Sequence, residues 1–438
     1  MAADGKTGQD GLGRGGNRPS LEFYVPEPKF RPGDPGDFVH VHIPPAGAQP
    51  RPDEACPASE TSPLCYDLVR VLDDDHQAVG PWNPRLDALS LREMLRVMAL
   101  TRAFDDRMYR GQRQGKTSFY MKCTGEEATS VASAFALAAD DMVFPSYRQQ
   151  GILLARGYPM VEMINQIYSN RADHLKGRQL PIMYSARDYS FFTISGNLAT
   201  QFPQAVGWAL ASASKGDSRI ATSFIGDGSS AEGDFHAAMT FATVYNAPVI
   251  LDIVNNQWAI SSFSGFAGAE RTTFAARAIG YGMAGLRVDG NDALAVYAAT
   301  QWAANRARSN LGPTLIEHFT YRAEGHSTSD DPSQYRSARE AEAWPLGDPI
   351  TRLKNHLIAL GEWSEDQHEA MDRDLAEQVK AATKEAEKNG ILGHGLHHPF
   401  HTMFEDVYED LPWHLKDQAD QAIRERRIKW PTWKEYEQ

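Results

Sequence analysis

Apolar residues along this chain follow two different rhythms. Over 89–111 they recur every three or four positions, with Leu91, Met94, Leu95, Met98 and Phe104 on one side, which predicts an amphipathic helix. The stretch 126–139 is small and apolar on nearly every face and predicts a second, buried helix. Helical spacing continues over 149–156, 160–169 and 200–215. Between about 219 and 320 the rhythm changes. The runs 219–225 and 248–254 are short, apolar and β-branched, the form of buried strands, and 232–245 between them is helical. A further strand, 314–320, closes this sheet region. Beyond 348 the pattern is again helical, and the charged run 362–388 reads as a solvated helix. A small hairpin is expected over 69–82, around Asp73-Asp74-Asp75. No internal repeat is visible.

Composition divides the chain without revealing its chemistry. Residues 1–62 are rich in Gly, Pro and charge and read as a mobile or draped arm; 63–425 form the expected folded body, and 426–438 a tail. The net charge of −13 argues against a nucleic-acid partner, which would need a basic face. Three cysteines, Cys56, Cys65 and Cys123, lie in no metal-ligand spacing and suit a reducing compartment. No apolar run approaches the ~18 residues of a membrane span. The N-terminal residues lack an apolar signal core and are not an Arg/Ser-rich transit helix, so a cytoplasmic protein is expected.

The chemistry concentrates between Gly226 and Asn256. Gly226-Asp227-Gly228 follows the first predicted strand, and Asn255-Asn256 follows the second, with 26 residues between them. A strand–helix–strand crossover brings both polar clusters to the carboxyl edge of a parallel sheet, where ligands of open α/β sheets bind. Mg²⁺ seeks hard oxygen ligands and keeps substrate phosphates in its shell. Asp227 offers a carboxylate and Asn256 a side-chain carbonyl, while glycines permit close backbone approach. The N–H groups of Gly228 and Ser229, at the expected helix start, suit a diphosphate. Either cluster alone is an ordinary turn; the two together, each after a strand, are specific.

This arrangement resembles the thiamine diphosphate signature. Leu175-Lys176-Gly177-Arg178-Gln179-Leu180-Pro181, Thr193 to Gln201, Leu286-Arg287-Val288-Asp289-Gly290-Asn291-Asp292 and Tyr321 to Asp331 resemble the α subunit of branched-chain 2-oxoacid dehydrogenases, closest to the bacterial two-chain form, over roughly 63–425. Pyruvate-specific relatives tend to carry Gly-Ser-Met-His where this chain has Gln179 to Tyr184, which favours branched-chain substrates. The resemblance implies an α/β, thiamine diphosphate-binding fold: a parallel sheet flanked by helices, with helical flanking segments and an irregular N-terminal arm packed on a partner. It implies thiamine diphosphate, Mg²⁺ and K⁺, a β subunit in an α2β2 heterotetramer, and transfer of the acyl group to a lipoyl-bearing core acyltransferase. A self-sufficient thiamine enzyme needs a second α/β domain for the aminopyrimidine ring. Only one crossover is visible here, so either a partner supplies that half or a second domain escapes the pattern. A pyruvate- or acetoin-type α subunit and a non-catalytic assembly homologue are the competing readings.

Site residues carry over position by position. Arg148 presents a planar fork of donors suited to a phosphate, and Tyr147 a hydroxyl or an aromatic wall beside the substrate. His326, in a Gly/Ser/Thr/Asp-rich loop, matches a proton donor or oxyanion stabiliser. Gly196 and Leu198 match a loop that braces the cofactor, Leu198 propping its bent shape. Ser195, Asn197, Thr200 and Gln201 match a K⁺ site, or equally a cap of the helix that follows. Trp258 matches a backbone-carbonyl ligand of Mg²⁺. One departure is Val254, where mitochondrial relatives carry a phosphate-holding arginine. His394, His397, His398 and His401 fall in an expected surface turn and are assigned no role.

Overall fold

The structure, a computed structural model, describes residues 21–425. The expectations for 1–20 and for the tail 426–438 lie outside the described residues. Six strands organise the chain: β1 (Leu68–Val69), β2 (Met142–Phe144), β3 (Ala221–Gly226), β4 (Val249–Asn255), β7 (Ala284–Asp289) and β8 (Thr314–Phe319). They form one parallel sheet in the order β1-β7-β8-β4-β3-β2. The two remaining strands, β5 (Trp258–Ala259) and β6 (Ser262–Phe263), pair as an antiparallel hairpin outside it.

The central strands read as unbroken apolar runs because both faces are covered. Every residue of β4 is buried. Ile250 and Val254 face a cluster shared with Val131 and Ala132 of the helix Glu127–Ala136 and Ala299 of the helix Ala293–Arg308. Val249, Leu251 and Ile253 face the opposite cluster, with Phe202 of the helix Gln201–Ser214 and Met239 of the helix Gly233–Val244. The expected α/β sheet with flanking helices is therefore observed.

Three differences from the sequence reading have physical reasons. The sheet reaches beyond 219–320, taking β1 and β2 as its edges, and runs of two and three residues carry no legible periodicity. The expected hairpin shrinks to a turn closed by a Leu72–Ala78 bridge, because the chain just before it is drawn into the sheet. The charged helix Glu365–Glu387 is not solvated all round. Leu375, Val379, Ala382 and Ala386 form a buried stripe against the helices Ala88–Arg113 and Met160–Tyr168.

The described part of the arm drapes over its own chain. Phe38, Val41 and Ile43 pack on a cluster of Trp258, Phe319, Tyr321 and Trp344, with Phe38 edge-on to Trp344 at 5.0 Å. Farther out, the Tyr24 hydroxyl donates to Glu270 at 2.8 Å. Beneath the arm is a cavity of about 570 Å³ whose buried polar groups are already mutually paired, Asn255 Nδ2 donating to Glu317 at 2.8 Å.

Asp292 joins several of these parts. One carboxylate oxygen accepts the N–H groups of Leu294 and Ala295, capping the helix Ala293–Arg308; the other accepts those of Val71 and Leu72 at 2.8 and 2.6 Å. Asp292→Ala strands buried donors on two elements and should destabilise the fold by about 3 kcal/mol or more. Urea unfolding at fixed protein concentration checks this, and a loss below about 1 kcal/mol would contradict the dual role.

Candidate active site

Register places the two polar clusters side by side. β3 pairs with β4 in parallel, Gly226 opposite Val254, so Asp227 and Asn256 leave adjacent strands at the same carboxyl edge. The backbones crowd there: a Cβ on Gly228 would lie 2.5 Å from that of Ala259. Around this edge opens a cavity of about 520 Å³. Its walls include Gly226, Asp227, Gly228, Ser229, Asn256, Trp258, Tyr147, Arg148, Gly196, Leu198 and His326, drawn from well-separated stretches of sequence. Ile260, Phe263 and Phe266 add apolar wall that sequence reasoning missed.

The structure keeps Ser195, Asn197, Thr200 and Gln201 off this wall. They form a turn in which Ser195 Oγ accepts the Asn197 N–H at 3.1 Å and Thr200 Oγ1 donates to the Asn197 carbonyl at 3.0 Å. Thr200 precedes the helix Gln201–Ser214 but makes no side-chain cap, so the capping alternative is not what the fold uses. Gln201 Oε1 is buried without a hydrogen-bond partner among the described residues.

Charge is buried densely at the cavity. Asp227 Oδ1 accepts the Gly228 N–H at 2.8 Å, while Oδ2 is buried with no partner among the described residues. Burial pushes this carboxyl up to about 7, against the pull of the Gly228 N–H and Arg322. A cation beside Oδ2 would restore the ionised form. The expectation of a free Gly228 N–H is corrected here, because Asp227 itself takes it. The helix expected there is also delayed: a 3-10 turn, Gly228–Ala231, precedes the helix Gly233–Val244.

Arg148 is 4% exposed. It donates to the carbonyls of Lys122 and His326 and reaches His326 Nδ1 at 3.2 Å. The Lys122 carbonyl lies on a segment pinned by buried Asp105, which accepts the Cys123 N–H and the Tyr120 hydroxyl, both at 2.7 Å. Arg322, for which the sequence suggested no role, donates to the carbonyls of Trp258 (3.0 Å) and Ile260 (2.9 Å), and its Nη1 lies 3.4 Å from His326 Nδ1. Its sequence signals were its place in the Tyr321 to Asp331 stretch and its proximity to His326. Val254 packs in the core and does not line the cavity.

These contacts decide the state of His326. Burial and the flanking guanidiniums of Arg148 and Arg322 lower its pKa to about 3, with Asp330 opposing weakly. With Nδ1 facing two obligate donors, the neutral ring must carry its proton on Nε2. His326 is thus a neutral N–H donor, not an imidazolium. Tyr147 meets it edge-on, ring centroids 5.8 Å apart. Of the histidines expected in a surface turn, His394 and His397 are exposed, and His397 and His398 contact the backbone carbonyls of Ser169 and Asp173, but His401 is buried, so the surface reading fails there. Among the described residues no three His, Cys, Asp or Glu side chains converge on a metal position. The cavity's own oxygen donors, a carboxylate, an amide and a backbone carbonyl, fit a hard cation rather than a transition metal.

The depressed His326 pKa has a signed consequence. An unfolded histidine binds its proton near pH 6.5, the folded one only near 3, so acidification through this window favours unfolding. Stability from this group is complete above pH 6.5 and is lost progressively below it. Allowing for partial exposure, His326→Gln should reduce the stability lost between pH 7 and 5 by about 1 kcal/mol. Denaturant unfolding of the ligand-free protein at the two pH values measures it; identical losses in both proteins would show a protonated ring.

Comparison with known proteins agrees with this geometry. Residues 95–394 match the family described as the dehydrogenase E1 component, and residues 19–59 that described as the 2-oxoisovalerate dehydrogenase E1 alpha subunit N terminal. A 2-oxoisovalerate dehydrogenase subunit alpha of Pseudomonas aeruginosa is 60% identical over 401 residues, 92% of this chain and 98% of that protein. The human mitochondrial 2-oxoisovalerate dehydrogenase subunit alpha is 42% identical over 325 residues, covering 73% of this chain and 72% of its own. Subunit alpha 1 of the Arabidopsis thaliana mitochondrial enzyme is 41% identical over 327 residues, 74% of this chain and 68% of its own. This chain is a member of the thiamine diphosphate-dependent dehydrogenase E1 component family.

Proposed function

We propose that this chain is the α subunit of a branched-chain 2-oxoacid dehydrogenase (3-methyl-2-oxobutanoate dehydrogenase, EC 1.2.4.4), acting in branched-chain amino acid catabolism. The observation that carries this reading is the buried, unpaired Asp227 Oδ2 in a cavity that also gathers Asn256, Arg148, Tyr147 and His326. The 60% identity to a protein named for 2-oxoisovalerate supports the substrate class.

In this reading Asp227, Asn256 and the Trp258 carbonyl hold Mg²⁺. That carbonyl already accepts Arg322 Nη1 at 3.0 Å and keeps a second lone pair. Arg148 and Ser229 bind the diphosphate beside His326, and Arg322 supplies the positive potential that Val254 cannot. Thiamine diphosphate, when bound, supplies the carbanion and electron-sink chemistry of decarboxylation. Tyr147 and Leu198 wall the substrate, and neutral His326 donates a hydrogen bond to developing negative charge. Gln201 Oε1, with Ser195, Asn197 and Thr200, is the candidate K⁺ position. Its unpaired acceptor supports that assignment.

The body, 63–425, is one α/β domain preceded by the arm, and the described residues contain a single parallel sheet. The aminopyrimidine half of the site therefore belongs to a β subunit, in an α2β2 heterotetramer that passes its acyl group to lipoyl groups of a core acyltransferase. Among the described residues no helix is long and apolar enough to cross a membrane, in keeping with a cytoplasmic assembly.

Two outcomes are expected. The purified chain alone should not decarboxylate 3-methyl-2-oxobutanoate, whereas the chain with its β subunit should. Three extra buried carbons are worth roughly 2 kcal/mol, so the assembled enzyme should use 4-methyl-2-oxopentanoate at least about tenfold better than pyruvate in kcat/KM. Turnover by the single chain would refute the split site, and a preference for pyruvate would refute the substrate class. Independently, Asp227→Ala should weaken Mg²⁺ and thiamine diphosphate binding by more than the roughly 10–100-fold typical of residues behind a metal's ligands. Calorimetry on the heterotetramer decides it, and near-normal binding would remove Asp227 from the metal site.

A further inference from the structure

Behind the cavity wall lies Glu126, a residue that no motif singles out. It is 2% exposed and immediately precedes the helix Glu127–Ala136. An acid at a helix start is ordinarily a response to the helix dipole. This one points elsewhere. Its Oε1 accepts Asn256 Nδ2–H at 2.8 Å and lies 3.8 Å from Arg148 Nε. The turn that carries it is tightly held: Gly125 has φ +94°, and a Cβ there would lie 2.4 Å from the Tyr321 carbonyl oxygen. The Gly125 carbonyl also accepts Asn291 Nδ2 at 3.1 Å and Thr320 Oγ1 at 3.0 Å. The carboxylate therefore approaches Asn256 from a fixed direction.

The consequence follows from the asymmetry of an amide. A side-chain amide offers a carbonyl on one side and an NH2 on the other, and only the carbonyl can ligate a cation. A carboxylate can only accept, so the NH2 of Asn256 must face Glu126. The opposite end, Oδ1, makes only a long 3.3 Å contact with the Trp258 N–H and keeps a lone pair for the cavity. We propose that Glu126 is a positioning residue that locks the Asn256 amide with its carbonyl toward the metal beside Asp227. This rests on the reading of Asn256 as a Mg²⁺ ligand. Glu126 touches neither metal nor substrate; it acts through Asn256.

The test is Mg²⁺ affinity, by calorimetry, of the metal-free heterotetramer in saturating thiamine diphosphate. Glu126→Leu removes the acceptor and should weaken Mg²⁺ binding about 10–100-fold, while Glu126→Gln, which keeps an acceptor oxygen, should stay within about threefold of the parent. In an Asn256→Asp background there is no amide to orient, so Glu126→Leu should cause no further loss. Unfolding midpoints of the metal-free proteins identify any variant that fails structurally, and the Gln variant keeps the question answerable if Leu does. Undiminished Mg²⁺ affinity in Glu126→Leu overturns the proposal. So does an equal loss in Glu126→Leu and Glu126→Gln, which would make charge beside Arg148 the working feature. An equal loss from Glu126→Leu in the parent and in the Asn256→Asp background overturns it too. If Asp227→Ala loses Mg²⁺ while Glu126→Leu does not, this inference alone fails; if Asp227→Ala also binds normally, the metal reading fails with it.

Discussion

Buried charge at the carboxyl edge of the sheet is the constraint to which the rest of this structure answers. Glu126, Asp227, Arg148 and Arg322 are all 4% exposed or less, and an isolated ionised group in such surroundings costs several kcal/mol. Each charge therefore has to find a partner, and among the described residues each does except one oxygen of Asp227. Glu126 takes Asn256 and lies beside Arg148; both guanidiniums spend their donors on backbone carbonyls and on His326. That unpaired oxygen is the observation on which the proposed cation position rests.

That network exists only because distant parts of the chain converge on one strand end. β3 and β4 deliver Asp227 and Asn256, the loop after β8 delivers Arg322 and His326, and the segments before two helices deliver Glu126 and Arg148. Glycines permit the convergence, Gly228 against Ala259 and Gly125 against Tyr321. The arm closes the far side, where Phe38 packs on Tyr321 and Trp344. Trp258 links that cluster to the site: its indole donates to Glu340, as the Tyr321 hydroxyl does, while its carbonyl holds Arg322.

The same packing explains the chemistry available to His326. Two guanidiniums beside a half-buried ring exclude a third positive charge, so the ring donates as a neutral imidazole. A neutral donor stabilises negative charge without being consumed by titration near neutral pH, and its orientation is fixed by what occupies Nδ1.

The sequence by itself determined the elements that are long and strongly patterned. The β3–helix–β4 crossover, the long helices and the convergence of Asp227 with Asn256 all follow from local periodicity and from the rule that ligands bind at strand carboxyl ends. It could not determine what depends on contacts between segments far apart in the chain. The edge strands β1 and β2 are too short to show a period and exist only because neighbouring strands offer them hydrogen bonds. The buried stripe of Glu365–Glu387 is hidden among charges until the helices Ala88–Arg113 and Met160–Tyr168 lie against it. Glu126 and Arg322 look like any acid at a helix start and any loop arginine. Their roles come from burial and from neighbours 130 and four residues away, respectively. The occupied Gly228 N–H and the neutral state of His326 are likewise tertiary facts, because protonation and hydrogen-bond partners are set by local dielectric and geometry rather than by residue type.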